Sequence, residues 1–145
     1  MRALIQRTTG ASVSIEGEAV GKISEGLVVL LGVKNTDTDK DADYLAQKVI
    51  NLRIFPGEKG EFDRSALDDQ KEVLVVSQFT LYGSCDKGRR PDFIEAAKPD
   101  HAEKLYKFFV QQIQKAGLSV ATGRFQAMMQ VELINDGPVT LMLES

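Results

Sequence analysis

Histidine and cysteine are all but missing from this chain, which has one of each, His101 and Cys85, in 145 residues. A single cysteine excludes an internal disulfide framework and makes a reducing cytoplasm the natural compartment. A single histidine excludes metal centres built on several imidazoles, and no metal or other cofactor is expected. Any Ser-His or Cys-His dyad would depend on His101 alone. That residue falls beside Asp100 in the first turn of an expected helix, which reads as a surface position. Cys85, in a Gly-Ser-Cys-Asp loop, reads as an incidental thiol. Long apolar runs are missing too. The longest, Leu27 to Leu31, is far too short to span a bilayer, and MRALIQRTTG at the start lacks the apolar stretch of a secretory signal.

Positive charge is also in short supply. Against 21 Asp and Glu stand 18 Lys and Arg, a net charge of -3. Proteins that grip long nucleic acid by its phosphates are usually basic, so strong duplex binding is not expected. Recognition of a nucleic-acid end stays open where cations gather locally. DKGRRPDF, Asp86 to Phe93, gathers Lys87, Arg89 and Arg90, although charge alone favours a solvated loop. The remaining composition, 43% hydrophobic and 27% charged, is neither disordered nor membrane-like. The length suits one domain, 1–145, with a proper core.

Alternation predicts a strand hairpin from Ala3 to Ile23, which leads through Gly10 and turns at Glu16-Gly17-Glu18. Gly26 and Gly32 bracket LVVLL, a strand apolar on both faces and so central in a sheet. The acidic run Asp37 to Asp43 is not a calcium loop, because Ala42 stands where glycine is needed and Lys48 where a Glu is needed. It reads as a helix start, with Ala42, Leu45, Ala46, Val49 and Ile50 as the apolar stripe. A polar loop then leads to a strand over Val73 to Leu81. A second helix begins near Pro99, with Ala102, Leu105, Tyr106, Phe109, Ile113 and Ala116 on its inner face. Strands over Val120 to Met129, Val131 to Ile134 and Val139 to Leu143 close the chain. The expected fold class is α/β: a mixed, mainly antiparallel, barrel-like sheet with two packed helices, in the order ββ-βα-βα-βββ.

Two segments carry candidate chemistry. SQFTLYG, Ser77 to Gly83, ends a buried strand in polar groups, and a regular strand puts Gln78 and Thr80 on one face and Ser77 and Phe79 on the other. NDGPVT, Asn135 to Thr140, has turn chemistry. Each alone has an ordinary structural explanation. Together with KGRRPDF, MRALIQR at the start and TGRF at Thr122 to Phe125, they resemble the D-aminoacyl-tRNA deacylase family from Met1 to about Leu143. Thr8, Asp92 and Gln126 depart from that pattern, where valine, serine and glycine are common. Asp92 weakens the positive field of its loop.

The resemblance implies a cytoplasmic homodimer that hydrolyses the ester of D-aminoacyl-tRNA, with its site at the interface. It assigns Ser77, Gln78, Phe79 and Thr80 to the catalytic pocket of one subunit. Gly137 and Pro138, joined by a cis bond, come from the other to select handedness, braced by Arg7. Lys87, Arg89 and Arg90 become contacts to the acceptor end of tRNA, and mischarged glycyl-tRNA becomes a second substrate. The residues leave open whether Thr80 is a nucleophile or positions water. A reading from another class is a non-catalytic dimeric module that binds an amino acid or small metabolite.

Overall fold

A computed structural model describes residues 1–86 and 88–145, so the expected contact Lys87 lies outside the described residues. The chain runs β1 (Arg2–Ile15), β2 (Glu18–Ile23), β3 (Gly26–Gly32), α1 (Asp39–Asn51), β4 (Arg53–Gly57), β5 (Gly60–Ser65) and β6 (Glu72–Ser77). A 3-10 turn (Phe79–Tyr82), α2 (Pro99–Lys115), β7 (Val120–Thr122) and β8 (Gln130–Glu144) complete it.

The fold class is the one the sequence predicts. β1 pairs antiparallel with β2, β3 and β8, while β3–β6 and β6–β7 are parallel. In the order β2-β1-β3-β6-β7 the two ends approach each other, since a Cβ on Gly21 of β2 would lie 2.6 Å from Thr122 O of β7. The sheet is thus nearly a closed barrel. β3 sits between β1 and β6 and is buried on both faces, as its unbroken apolar run requires.

Period-two alternation in β3 and β6 divides the core. Leu27, Val29, Leu31, Val73 and Val75 face the helices, where they meet Leu45, Val49 and Ile50 of α1 and Leu105, Phe109 and Ile113 of α2. Val28, Leu74 and Val76 face the other way, into a smaller cluster with Val13 and Ile23. Each side chain of this size contributes about 1.5–3 kcal/mol when fully buried.

β1 runs through Gly10 as expected, with partners along both of its edges, β2 and β3 on one and β8 on the other. Three details differ from the sequence expectation. The expected strand over Val120 to Met129 ends at Thr122. The polar stretch after α1 forms the hairpin β4–β5, held inward by Ile54, Phe55 and Ser65. The last two expected strands are one 15-residue strand with register shifts against β1. Phe109, fully buried between α2 and the sheet, tests this packing. Phe109→Ala is expected to cost about 3–5 kcal/mol in denaturant unfolding; a much smaller loss would contradict the packing described.

Candidate active site

β6 stops at Ser77 because its next amide has one last partner in the sheet: Gln78 N donates to Leu31 O at 2.8 Å. Beyond that point Gly32 leaves no room for a straight continuation. A Cβ there would meet Gln78 O at 3.1 Å, Leu81 Cβ at 3.1 Å and the Tyr82 ring at 3.3 Å, so the turn is seated on bare backbone. The chain winds into the 3-10 turn, closed by Leu81 N donating to Gln78 O and Gly83 N to Thr80 O. The winding replaces the strict alternation of a strand. Ser77, Gln78 and Phe79 all line one pocket, and the Gln78 amide donates a short hydrogen bond to the Thr80 hydroxyl oxygen. The N–H groups of Phe79 and Thr80, at the start of the turn, have no place in its i→i+3 pattern.

The pocket holds about 640 Å³. Its opposite wall comes from segments far away in sequence: Phe93 and Ala96 before α2, Pro99 and Ala102 at the start of α2, and Phe125 to Met129 after β7. Phe79 and Phe93 meet edge to face with centroids 4.9 Å apart. Of this wall only Ala102 belongs to the apolar stripe that the sequence predicts for α2. Phe93 lies in a loop that no periodicity marks, and Phe125 to Met129, expected within a strand from Val120, lie in the loop beyond Thr122.

NDGPVT forms an outward bulge rather than a hairpin. Gln6 pairs with Thr140 and Thr8 with Asn135, so residues 136–139 of β8 stand opposite Arg7 alone. Asn135 ties the bulge down, its amide donating to Arg7 O and Val139 O at 3.0 Å each. The Gly137-Pro138 bond is cis, and both residues are exposed. Neither lines the pocket of its own chain. Arg7 is buried, donating from Nη1 to Ile54 O at 2.6 Å. Its Nε lies 2.6 Å from Asp136 Oδ2 but off the N–H axis, an ion pair without an aligned hydrogen bond. The guanidinium therefore grips the bulge one residue before Gly137.

Thr80, exposed beside Gln78, and the remaining candidates fall outside the lining of the pocket. His101 Nε2 is 2.9 Å from Asp37 O, a link between the starts of the two helices. Cys85, Arg89 and Arg90 are exposed on the loop pinched by the Ser84–Asp92 bridge. Asp92 also accepts from Ile94 N at 3.3 Å, so this departure caps its own loop. Behind the pocket, the Tyr106 hydroxyl donates to Val75 O at 2.9 Å, two residues before Ser77.

A strand-end turn of hydroxyl and amide groups thus opens on an apolar pocket within this nearly closed sheet. A family model described as D-Tyr-tRNA(Tyr) deacylase matches residues 4–144, and the chain belongs to that family. It is 57% identical over 145 residues to the D-aminoacyl-tRNA deacylase of Bacillus cereus (strain B4264), covering 100% of this chain and 99% of that one. The identity is also 57%, over the same spans, with the D-aminoacyl-tRNA deacylase of Bacillus anthracis (strain CDC 684 / NRRL 3495). A solved structure titled c-Myc DNA Unwinding Element Binding Protein superposes with a TM-score of 0.93 at 44% identity, over 100% of this chain and 99% of that chain. A probable eukaryotic D-amino acid tRNA deacylase, 17% identical with a TM-score of 0.87 over 99% and 98% of the two chains, shares the fold.

Burial raises the Tyr106 phenol to about 12. In an alkaline absorbance titration, the component that disappears in Tyr106→Phe is expected near that value. A missing component near the ordinary tyrosine range of about 10 would show the hydroxyl to be solvated.

Proposed function

We propose that the protein is a cytoplasmic, homodimeric D-aminoacyl-tRNA deacylase, which splits the ester between a D-amino acid and the terminal ribose. Gly137 carries this reading. It is exposed, its φ is outside the left-handed region, and an added Cβ would meet nothing closer than Asn135 Oδ1 at 3.9 Å. Its own chain therefore has no need of glycine there. Glycine at such a point serves a close approach from outside. In a twofold dimer the bulge of one copy reaches the pocket mouth of the other, and the substrate passes between them.

The bulge selects handedness by shape. Rejecting the L-ester by four powers of ten takes roughly 5.5 kcal/mol. Contacts that tell one methylene from another supply only about 1–3 kcal/mol. A main-chain wall gives more, provided that it cannot yield, and Asn135 and Arg7 hold this one from both sides. Such a wall touches only atoms common to all amino acids. Side-chain identity is then ignored, and glycine, with nothing to exclude, is released as well.

The chemistry needs a held carbonyl and a placed water, because an aminoacyl ester is already activated. The Gln78 and Leu81 N–H groups are taken by Leu31 O and Gln78 O, which leaves those of Phe79 and Thr80 for the oxyanion. One such donor is typically worth about 2.7–4 kcal/mol. Water adds to the carbonyl, the tetrahedral oxyanion collapses, and the ribose oxygen leaves with a proton that water supplied. Thr80, held by Gln78, positions that water with the neighbouring ribose hydroxyl. Arg89 and Arg90 meet acceptor-end phosphates, and such a small set gives binding a shallow salt dependence.

Matched D- and L-tyrosyl-tRNA test the reading: free D-tyrosine is expected and L-tyrosyl-tRNA stays intact, whereas equal rates would overturn it. Thr80→Ala is expected to slow D-ester turnover roughly tenfold, the size of one charge-free hydrogen bond, with no acyl-enzyme. A trapped acyl-enzyme in the wild type would instead make Thr80 the nucleophile. Gly137→Ala is expected to keep the melting temperature and lower the D-ester rate by about tenfold or more, as displaced reacting groups do. An unchanged rate would remove the bulge from the site.

A further inference from the structure

Gln126 stands where its own backbone favours glycine. It is the third residue of the turn Arg124 to Ala127, closed by Ala127 N donating to Arg124 O at 3.2 Å. Its φ is +61° while that of Phe125 is negative, the pattern of a type II turn, whose third position suits glycine. A residue with a side chain gives up stability to stand there. What the chain gains is an amide at the pocket. Gln126 lines the cavity across from Gln78 and Phe79, is exposed, and hydrogen-bonds to no described residue. The turn that carries it is anchored, with the Phe125 ring packed on Tyr106 at 6.0 Å. Its neighbours in the lining, Phe125, Ala127, Met128 and Met129, have no polar side-chain donor, so the free carboxamide is singular on that wall.

We propose that Gln126 is a specificity residue of this pocket, whose carboxamide pairs with the edge of the substrate's terminal adenine. This rests on the deacylase reading above. Single-stranded RNA ends are read by stacking on aromatic rings and by hydrogen bonds to base edges. The Phe79, Phe93 and Met128 surfaces supply flat apolar contact, and Gln126 supplies the edge. A carboxamide sets a donor beside an acceptor, which matches the amino group and ring nitrogen of adenine. The amino-acid half of the ester is not its partner, because selection by main chain leaves the amino-acid side chain outside.

The test compares D-tyrosyl-tRNA ending in adenosine with the same RNA ending in purine riboside, which lacks the amino group. Wild type is expected to show a KM about tenfold higher for the purine end, the size of one lost base-edge pairing, with kcat little changed. In Gln126→Gly and Gln126→Ala that ratio falls to about one, and KM for the adenosine end rises by a similar factor. Folding is not at risk, since glycine suits this backbone and the melting temperature of Gln126→Gly is expected to equal or exceed that of wild type. A ratio that persists in both variants, or that is absent from wild type, overturns the proposal while D-over-L selectivity in the same samples leaves the deacylase reading standing. Failure of wild type to release D-tyrosine from either RNA overturns both.

Discussion

The hydrogen bond from the Gln78 amide to the Leu31 carbonyl is where sheet becomes site. It is the last bond that holds β6 against β3, and the next residue of β3 is a glycine with backbone pressed on it. A strand that continued straight would send Ser77 and Phe79 away from Gln78 and Thr80. The 3-10 turn instead gathers the Ser77 and Gln78 side chains at one pocket and leaves the Phe79 and Thr80 amides without a partner among the described residues. The shape of the pocket at this point is set by backbone direction.

That direction is stable because the sheet beneath it is packed on both faces. Val75 faces the helices and Val76 the inner cluster, so the last residues of β6 are gripped from both sides before the turn begins. Tyr106 adds a hydrogen bond from α2 to the Val75 carbonyl. Val76 and Val131 belong to the pocket lining as well as to the inner cluster or its margin. The pocket floor is therefore continuous with the core and rests on close-packed interior.

Much of this could be read in the sequence, and the omissions have physical causes. The stripe from Ala42 to Ile50 and that from Ala102 to Ile113 give both helices, because burial follows helical period. The double-sided burial of β3 follows from its composition. The hairpin β4–β5 was hidden because only Ile54 and Phe55 of β4 and Ser65 of β5 are buried, too few for alternation to show. The bulge of residues 136–139 was legible as turn chemistry, but its register against Arg7 belongs to a partner strand more than a hundred residues away. The wall made by Phe93, Phe125 and Met128 lies in loops, although apolar content alone extends the strand of β7 as far as Met129. Gln126 was visible as a departure from the family pattern. Its meaning depends on a φ angle that no sequence states.

The central claim is that each site is built from two copies of the chain, and mixed dimers test it most directly. One variant carries Gln78→Ala with Thr80→Ala, the other Gly137→Leu, and each pure protein is expected to be nearly inactive. Reassociated in equal amounts, half of the dimers are mixed, and each of these has one site with both defects and one with neither. Shared sites therefore restore about a quarter of the wild-type D-ester activity. Activity that stays at the level of the two pure variants would place the whole site within one chain and contradict the account.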